Sequence, residues 1–185
     1  ESSIEQRVTL NHKTRTLEFK TTVDWNECHK MLRTAFPVNI RCDSATFGIQ
    51  YGYVKRPTHR NTSWDVARFE VPAQKYVDLS DNNRGVALLN DSKYGHKIHE
   101  NIMDLNLLRS PTYPDADADL GIHEFSYCFM PHKKDFIHSE VIQSALEFNQ
   151  PPMIFVGKSA KGINPPLRVK DSSIGLEVVK RAEKE

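Results

Sequence analysis

The chain has 185 residues with 25 basic and 24 acidic side chains and a net charge of +1, which suits one large domain or a domain with an appendage. Its basic residues cluster only in pairs such as Lys55-Arg56, Lys133-Lys134 and Lys180-Arg181, which gives no electrostatic footprint for a nucleic-acid partner. Apolar runs such as Val86-Ala87-Leu88-Leu89 fall far short of the roughly 20 residues that cross a bilayer, so no membrane partner is expected and the chain reads as soluble.

Glu1 rather than Met opens the chain, and strand character begins within a few residues, which points to a piece of a longer or processed polypeptide. Gln6 to Leu10 and Thr16 to Val23 alternate with period two around the polar Asn11-His12-Lys13, predicting a hairpin. From Trp25 to Phe36 the apolar positions Trp25, Cys28, Leu32, Ala35 and Phe36 fit a helix, but the following Pro37-Val38-Asn39-Ile40 fits an extended segment, and the second half is assigned to strand. Thr46 to Val54 alternates Phe47, Ile49, Tyr51 and Tyr53 and predicts one strand. Val66 to Val71 predicts another, and the polar run Lys55 to Ser63 between them is a loop by composition.

Short strands are expected at Tyr76 to Leu79, Gly85 to Asn90, Lys97 to Ile98, Met103 to Leu108 and His123 to Met130. Asp81 to Gly85 and Tyr94-Gly95 supply turns. Ser139 to Phe148 carries a broad apolar stripe, a candidate N-cap serine and a stop before Pro151-Pro152, which predicts one short helix. Residues 157–166, rich in Gly, Lys and Pro, read as a linker-like stretch. Leu167 to Val169 and Leu176 to Arg181 are expected to close the sheet. Many short strands separated by turn residues predict an all-β sandwich or barrel, taken as a single domain over 1–185.

Several motifs fail on inspection. Gly157-Lys158-Ser159 resembles the end of a phosphate loop, but Pro152 stands where the first glycine is required. Asp115, Asp117 and Asp119 have calcium-loop spacing, yet Leu120 and Ser126 occupy the positions of the essential Gly and Glu, leaving a solvated acidic turn. Among eight histidines, only His96 and His99 are close together, HExxH is absent, and no metal site is expected. No G-x-S-x-G elbow supports serine hydrolase chemistry. Three cysteines, Cys28, Cys42 and Cys128, lack CxxC spacing, which argues against a disulfide framework and for a reducing, cytoplasmic setting. The sequons Asn61-Thr62-Ser63 and Asn90-Asp91-Ser92 point the other way.

The loop Pro57 to Asp65 packs His59, Arg60, Asn61, Trp64 and Asp65 between two strands. Arg and Asn donate to sugar hydroxyls, Asp accepts from them, and an indole stacks on the apolar face of a pyranose. The bland alternative has Arg60 paired with Asp65 and Trp64 in the core.

The run Arg56 to Val71 resembles a stretch of the α-mannosidases of glycoside hydrolase family 38, cytosolic or vacuolar type. Val86 to Gly95, Leu107 to Asp115, His123 to Tyr127, Met130-Pro131-His132, Phe19 to Trp25 and the tail near Val178 to Ala182 are similar to that family in the same order. The resemblance implies a large galactose mutarotase-like supersandwich lying after a catalytic domain of the same polypeptide. It also implies retaining hydrolysis of α-mannosides in a mannose-containing oligosaccharide. The family's zinc ion and its two carboxylates, about 5 Å apart in such a mechanism, belong upstream, so no catalytic residue and no zinc ligand is carried onto this chain. What the resemblance leaves here is a cleft-lining role, for the loop with His59, Arg60, Asn61, Trp64 and Asp65, or for the turn with Asp91, Lys93 and Tyr94. An autonomous carbohydrate-binding module is the alternative, and a protein-interaction sandwich a third.

Overall fold

The computed structural model describes residues 1–154, 156–157, 167–171, 174, 176 and 178–183. The chain divides into two compact units, Glu1–Pro152 and Met153–Glu185. In the second, the described residues form no strand or helix. The strands expected at Leu167 to Val169 and Leu176 to Arg181 are therefore not formed in their described residues, where no backbone ladder reaches them; residue 177 and most of the linker-like stretch (158–166) lie outside the described residues.

The first unit contains β1 (Ser3–Asn11), β2 (Thr16–Trp25), β3 (Leu32–Pro37), β4 (Ser44–Ile49) and β5 (Gly52–Pro57). After these come α1 (Ser63–Ala67), β6 (Val71–Pro72), β7 (Tyr76–Ser80), β8 (Arg84–Asn90), β9 (Gly95–His99), β10 (Ile102–Leu108), β11 (Gly121–Lys133) and α2 (Val141–Asn149). All pairings are antiparallel, in a seven-stranded sheet ordered β1-β2-β11-β8-β7-β4-β5 and a four-stranded sheet ordered β3-β10-β9-β6. The expected sandwich is what forms.

Two local expectations are corrected. Thr46 to Val54 is two strands: Ile49 pairs with Gly52 across a two-residue turn, and Tyr51 takes φ 56°. A tight hairpin turn of this length leaves the alternation of apolar residues unbroken, so the pattern hides it. Val66 to Val71 is not a strand either. Val66 and Ala67 end the five-residue helix α1, and only Val71–Pro72 pairs, with β9. The chain thus holds two helices among its described residues where one was expected.

Between the sheets lies a core in two parts. Phe47, Val77, Leu79, Leu88, Ile98 and Met103 anchor one, and Val23, Trp25, Leu105, Phe125 and Tyr127 the other. Each fully buried aliphatic side chain contributes about 1.5–3 kcal/mol, so these clusters dominate local stability. β7 and β8 are buried along nearly their whole length, which requires cover on both faces. On the outer face α2 and the segment before it supply that cover, with Phe136, Val141 and Ala145 packed on Tyr76, Ala87, Leu89 and Met130. The helix begins after Glu140 rather than at a serine cap; the Ser139 hydroxyl donates to the Phe136 carbonyl and accepts from the Val141 N–H at 3.3 Å.

One buried ion pair sits at the rim of this outer cluster. Asp78 on β7 accepts from Ser80 Oγ at 2.5 Å and from His132 Nε2 at 2.6 Å, and both acid and imidazole side chains are almost wholly buried. His132 reaches Asp78 because Gly85 lies beneath it: a Cβ at that position would fall 2.3 Å from the imidazole ring. Burial pushes His132 down, but the hydrogen bond and the charge of Asp78 outweigh it, and the net shift is upward. A raised folded-state value stabilises the fold fully below the ordinary histidine value of about 6.5, and this contribution disappears as pH rises through the raised value. We therefore expect the unfolding midpoint to fall on going from about pH 6 to 9. His132→Ala should cost about 3 kcal/mol at pH 6, because it strands a buried carboxylate, and should flatten the pH dependence. Denaturant unfolding of both proteins across that range checks this.

Candidate glycan-facing loop

Thr58 fixes where the loop leaves the sandwich. It is buried, its N–H donates to the Asp43 carbonyl at 3.0 Å, and its hydroxyl donates to the Cys42 carbonyl. Its own carbonyl accepts from the Glu100 N–H at 2.8 Å and meets His99 Nδ1 at 3.2 Å. One residue thus ties the segments leading into β4 and out of β9, which belong to different sheets.

Beyond Thr58 the chain turns outward through His59, Arg60 and Asn61, and Thr62 caps α1. The Thr62 hydroxyl accepts from the Asp65 N–H at 3.2 Å, while the Asp65 carboxylate accepts from the Thr62 N–H at 3.1 Å and the Thr62 hydroxyl at 2.8 Å. This reciprocal capping box nucleates a helical turn in a segment too short to hold one by propensity alone. The Thr62 hydrogen bond chiefly holds the Asp65 carboxyl below its ordinary value; burial opposes this, and the Thr62 backbone, His59 and Arg68 reinforce it.

The structure brings His59 and Asp65 together, with Nδ1 at 3.6 Å from the carboxylate, and the Asn61 N–H donates to the same nitrogen at 3.4 Å. No ion pair joins Arg60 to Asp65 among the described residues, and Trp64 is 74% exposed. The alternative of an Arg60–Asp65 pair over a core tryptophan is thereby overturned: Asp65 is committed to the cap, and the cap points Trp64 outward. Val66 and Phe69 are also exposed, so α1 and its exit present an apolar, aromatic surface.

Beneath α1 lies a small cleft of about 30 Å³ between Asp65, Arg68, Arg56 and the β9 residues His96, Lys97 and Ile98. That is roughly one water's share of liquid volume, so the loop presents a surface and does not enclose a sugar. The Arg56 guanidinium stands 4.9 Å from the centre of the Phe47 ring and donates to the Pro72 carbonyl. Sequence inspection missed Arg56, Arg68 and Lys97 as neighbours of the loop. The only signal for them is strand alternation, which cannot specify which distant strand lies below.

Asp91, Lys93 and Tyr94 occupy the turn from β8 to β9, and no hydrogen bond or ion pair joins them to the loop residues among the described residues. Asp91 accepts from the Ser126 N–H at 2.8 Å and from the Ser92 hydroxyl at 2.9 Å, pinning the turn to β11. The Lys93 ammonium lies 4.4 Å from the centre of the Phe125 ring; burial pushes its pKa down, opposed by Asp119 and Asp91. Both side chains have structural partners, which leaves the exposed Tyr94 as the freest member of the turn.

Asn90 of the second sequon is buried. Its Oδ1 accepts from the Lys93 N–H at 3.1 Å, so its amide nitrogen faces His96 Nε2 at 3.3 Å. That nitrogen is the atom a glycan would need, and the fold closes it off. Burial pushes His96 down to about 3, leaving a neutral imidazole whose Nδ1 has no hydrogen-bond partner among the described residues.

No group of three or more His, Cys, Asp or Glu residues at metal-binding geometry is found among the described residues, so the residues here do not fit a zinc ion. Neither the buried Cys128 nor the half-buried Cys42 is poised as a nucleophile: burial pushes Cys128 up to about 11, and burial with the charges of Asp81, Asp43 and Asp78 pushes Cys42 upward. The acidic turn satisfies itself, with the Asp117 N–H donating to Asp115 and the Arg109 N–H to Asp119, each at 3.0 Å.

If the capping box holds α1, Thr62→Ala should speed amide exchange across residues 63–68 by about five- to tenfold, as loss of a cap costs about 1 kcal/mol. Exchange in β8 and β11 should be unchanged. Amide hydrogen exchange of the two proteins checks both parts.

Residues 1–117 match the family model described as the glycosyl hydrolases family 38 C-terminal domain. The chain is 45% identical over 184 residues to alpha-mannosidase 2C1 of Homo sapiens, covering 98% of this chain and 18% of that protein. It is 50% identical over 134 residues to an alpha-mannosidase of Saccharomyces cerevisiae, covering 72% of this chain and 12% of that one. A solved alpha-mannosidase structure from Enterococcus faecalis superposes with a TM-score of 0.71 at 22% identity, over 80% of this chain and 18% of the other, a likeness of fold. The chain spans less than a fifth of the length of these relatives. No described helix is long and apolar enough to cross a membrane. The family match over most of the chain, together with the two-sheet architecture, shows that this chain belongs to the glycosyl hydrolase family 38 C-terminal domains.

Proposed function

We propose that this chain is the non-catalytic β-sandwich part of a retaining α-mannosidase, and that α1 with its preceding loop forms an outer wall of the substrate cleft. In this reading a catalytic domain of the same polypeptide supplies the zinc ion and the two carboxylates. The sandwich orients a mannose-containing oligosaccharide by contact outside the reacting sugar.

The observation that carries the reading is Trp64: an indole 74% exposed on a helix that is capped at its start and rooted through Thr58 in both sheets. A large apolar side chain is usually driven inward, and here local hydrogen bonding holds it out. An indole so placed stacks on the apolar face of a pyranose, while His59, Arg60 and Asn61 stand beside it to meet hydroxyls. Tyr94 offers a second exposed ring on the β8–β9 turn. The relatives named alpha-mannosidase support this reading over an autonomous binding module.

A cytoplasmic setting and a role in mannose metabolism complete the reading. The first is supported by three cysteines that all remain free and by the closure of Asn90 against modification, the second by the relatives named alpha-mannosidase.

In an α-mannosidase that contains these residues, Trp64→Ala should raise KM for an oligomannoside by about five- to tenfold, since an aromatic contact contributes about 0.5–1.5 kcal/mol. Turnover of a small aryl mannoside and the unfolding midpoint should stay the same. Steady-state kinetics on the two substrates decide it: an oligomannoside KM unaffected by the substitution removes the loop from the cleft.

A further inference from the structure

A larger cavity than the cleft under α1 lies on the outer face of the seven-stranded sheet, and the loop and turn residues take no part in it. It encloses about 170 Å³ beneath the segment that follows β11. Strand register builds its floor: Thr46 on β4 pairs with Lys55 on β5 and with Asp78 on β7, so three side chains form one row across three strands. Ser44 and Ser80, two residues along, lie on the same face. Asp135, Phe136 and Ile137 form the roof, and Asp81 stands at one end. Phe136 fixes the roof by packing against Tyr76 and Tyr53, with ring centres 5.6 and 5.0 Å away.

The hydrogen-bonding capacity left open in this cavity is specific. Thr46 is 4% exposed, and its hydroxyl has no hydrogen-bond partner among the described residues. Asp135 and Asp81 each spend Oδ1 on local N–H donors, from His138 in one case and from Asn83 and Arg84 in the other. Neither Oδ2 makes a hydrogen bond among the described residues. Lys55 forms no ion pair among the described residues; the hydrogen bonds from His138 hold the Asp135 carboxyl below its ordinary value, burial opposes them, and the charge of Lys55 adds the smallest contribution.

The chemistry of the ligand follows by elimination. Three carboxylates repel an anion, and a lining rich in polar groups disfavours an apolar guest. No metal-binding group is gathered here among the described residues. Asp78 is already matched by His132 and Asp135 by His138, so a strong cation would meet only the single charge of Asp81, with the Lys55 ammonium on the same lining. What remains is a set of mixed donors and acceptors that suits hydroxyl groups, each of which both donates and accepts. The size fits one six-membered ring, since a cavity of about 150 Å³ admits benzene.

We propose that this cavity is a binding site for one neutral, pyranose-sized polyol, held by Lys55, Thr46, Asp81 and Asp135. The site stands on its own residues and does not depend on the role given to α1.

Titrating the 185-residue chain with methyl α-D-mannopyranoside, with amide resonances read by NMR, tests it. Saturable shifts are expected at Thr46, Lys55, Ser80 and Ile137. Thr46→Val and Lys55→Met should each weaken binding by about tenfold, the effect of one lost hydrogen bond. Lys55 is solvent-facing, so its variant keeps the test alive should the buried substitution disturb folding. Shifts confined to residues 59–66, the absence of saturation, or binding indifferent to Lys55→Met would each overturn the proposal.

Discussion

The unequal width of the two sheets governs this molecule. Seven strands face four, so the smaller sheet covers only part of the larger one, and apolar surface elsewhere must find other cover. At the centre the problem is solved twice: β7 and β8 bury one face against the small sheet and the other against α2 and Phe136. At the edges it is left unsolved. β1 is exposed throughout, with Ile4, Val8 and Leu10 bare, although Ile4 pairs with Val23 and Val8 with Phe19 on the face that elsewhere forms the core. Only Gln6 on that strand is drawn in, donating to the Thr21 and Tyr127 hydroxyls at 2.9 Å each.

The same architecture sorts polar groups into those that hold the fold and those held out from it. Thr58, Asp78, His132 and Asn90 are buried and bonded, as buried polar groups must be. On the outside, the small sheet carries Arg33, which bridges Glu70 and Asp104. Gly95 allows this arrangement, because a Cβ there would come within 2.8 Å of the Glu70 carboxylate. Glu70 lies just beyond α1, so the bridge anchors the exit of the loop as Thr58 anchors its entry. A surface helix of five residues gains its definition from these two ends and from Thr62 and Asp65, with no buried side chain of its own.

How far the sequence reveals this depends on the range of the signal. β2, β10 and β11 were legible because alternation over seven or more residues reports a half-buried strand directly, and β8 was legible as a short apolar run bounded by turn residues. The hairpin turn at Asn11 was legible too, since its side chain accepts from the Lys13 N–H as turn asparagines do. α1 was lost although Thr62-x-x-Asp65 is a recognisable cap, because Val66, Phe69 and Val71 suggested a strand over the same stretch. The polar character of the loop was visible, and the exposure of Trp64 was not, since it depends on which way the cap turns the helix. The outer cavity was invisible for a different reason. Thr46, Lys55, Asp81 and Asp135 come from four separate segments, and only the register of β4 between β5 and β7, with the roof folding back, brings them together.

In the proposed reading the chain shapes and presents while another domain reacts, and Asp65, Asp78 and Asp91 are spent on a cap, an ion pair and a turn. Hydrolysis of an activated aryl α-mannoside with added zinc, compared between the 185-residue chain and a longer α-mannosidase that contains it, tests that division of labour most directly. Turnover in the longer protein alone is the predicted result. Zinc-dependent turnover by the 185-residue chain would contradict it and place the reacting groups within these two sheets.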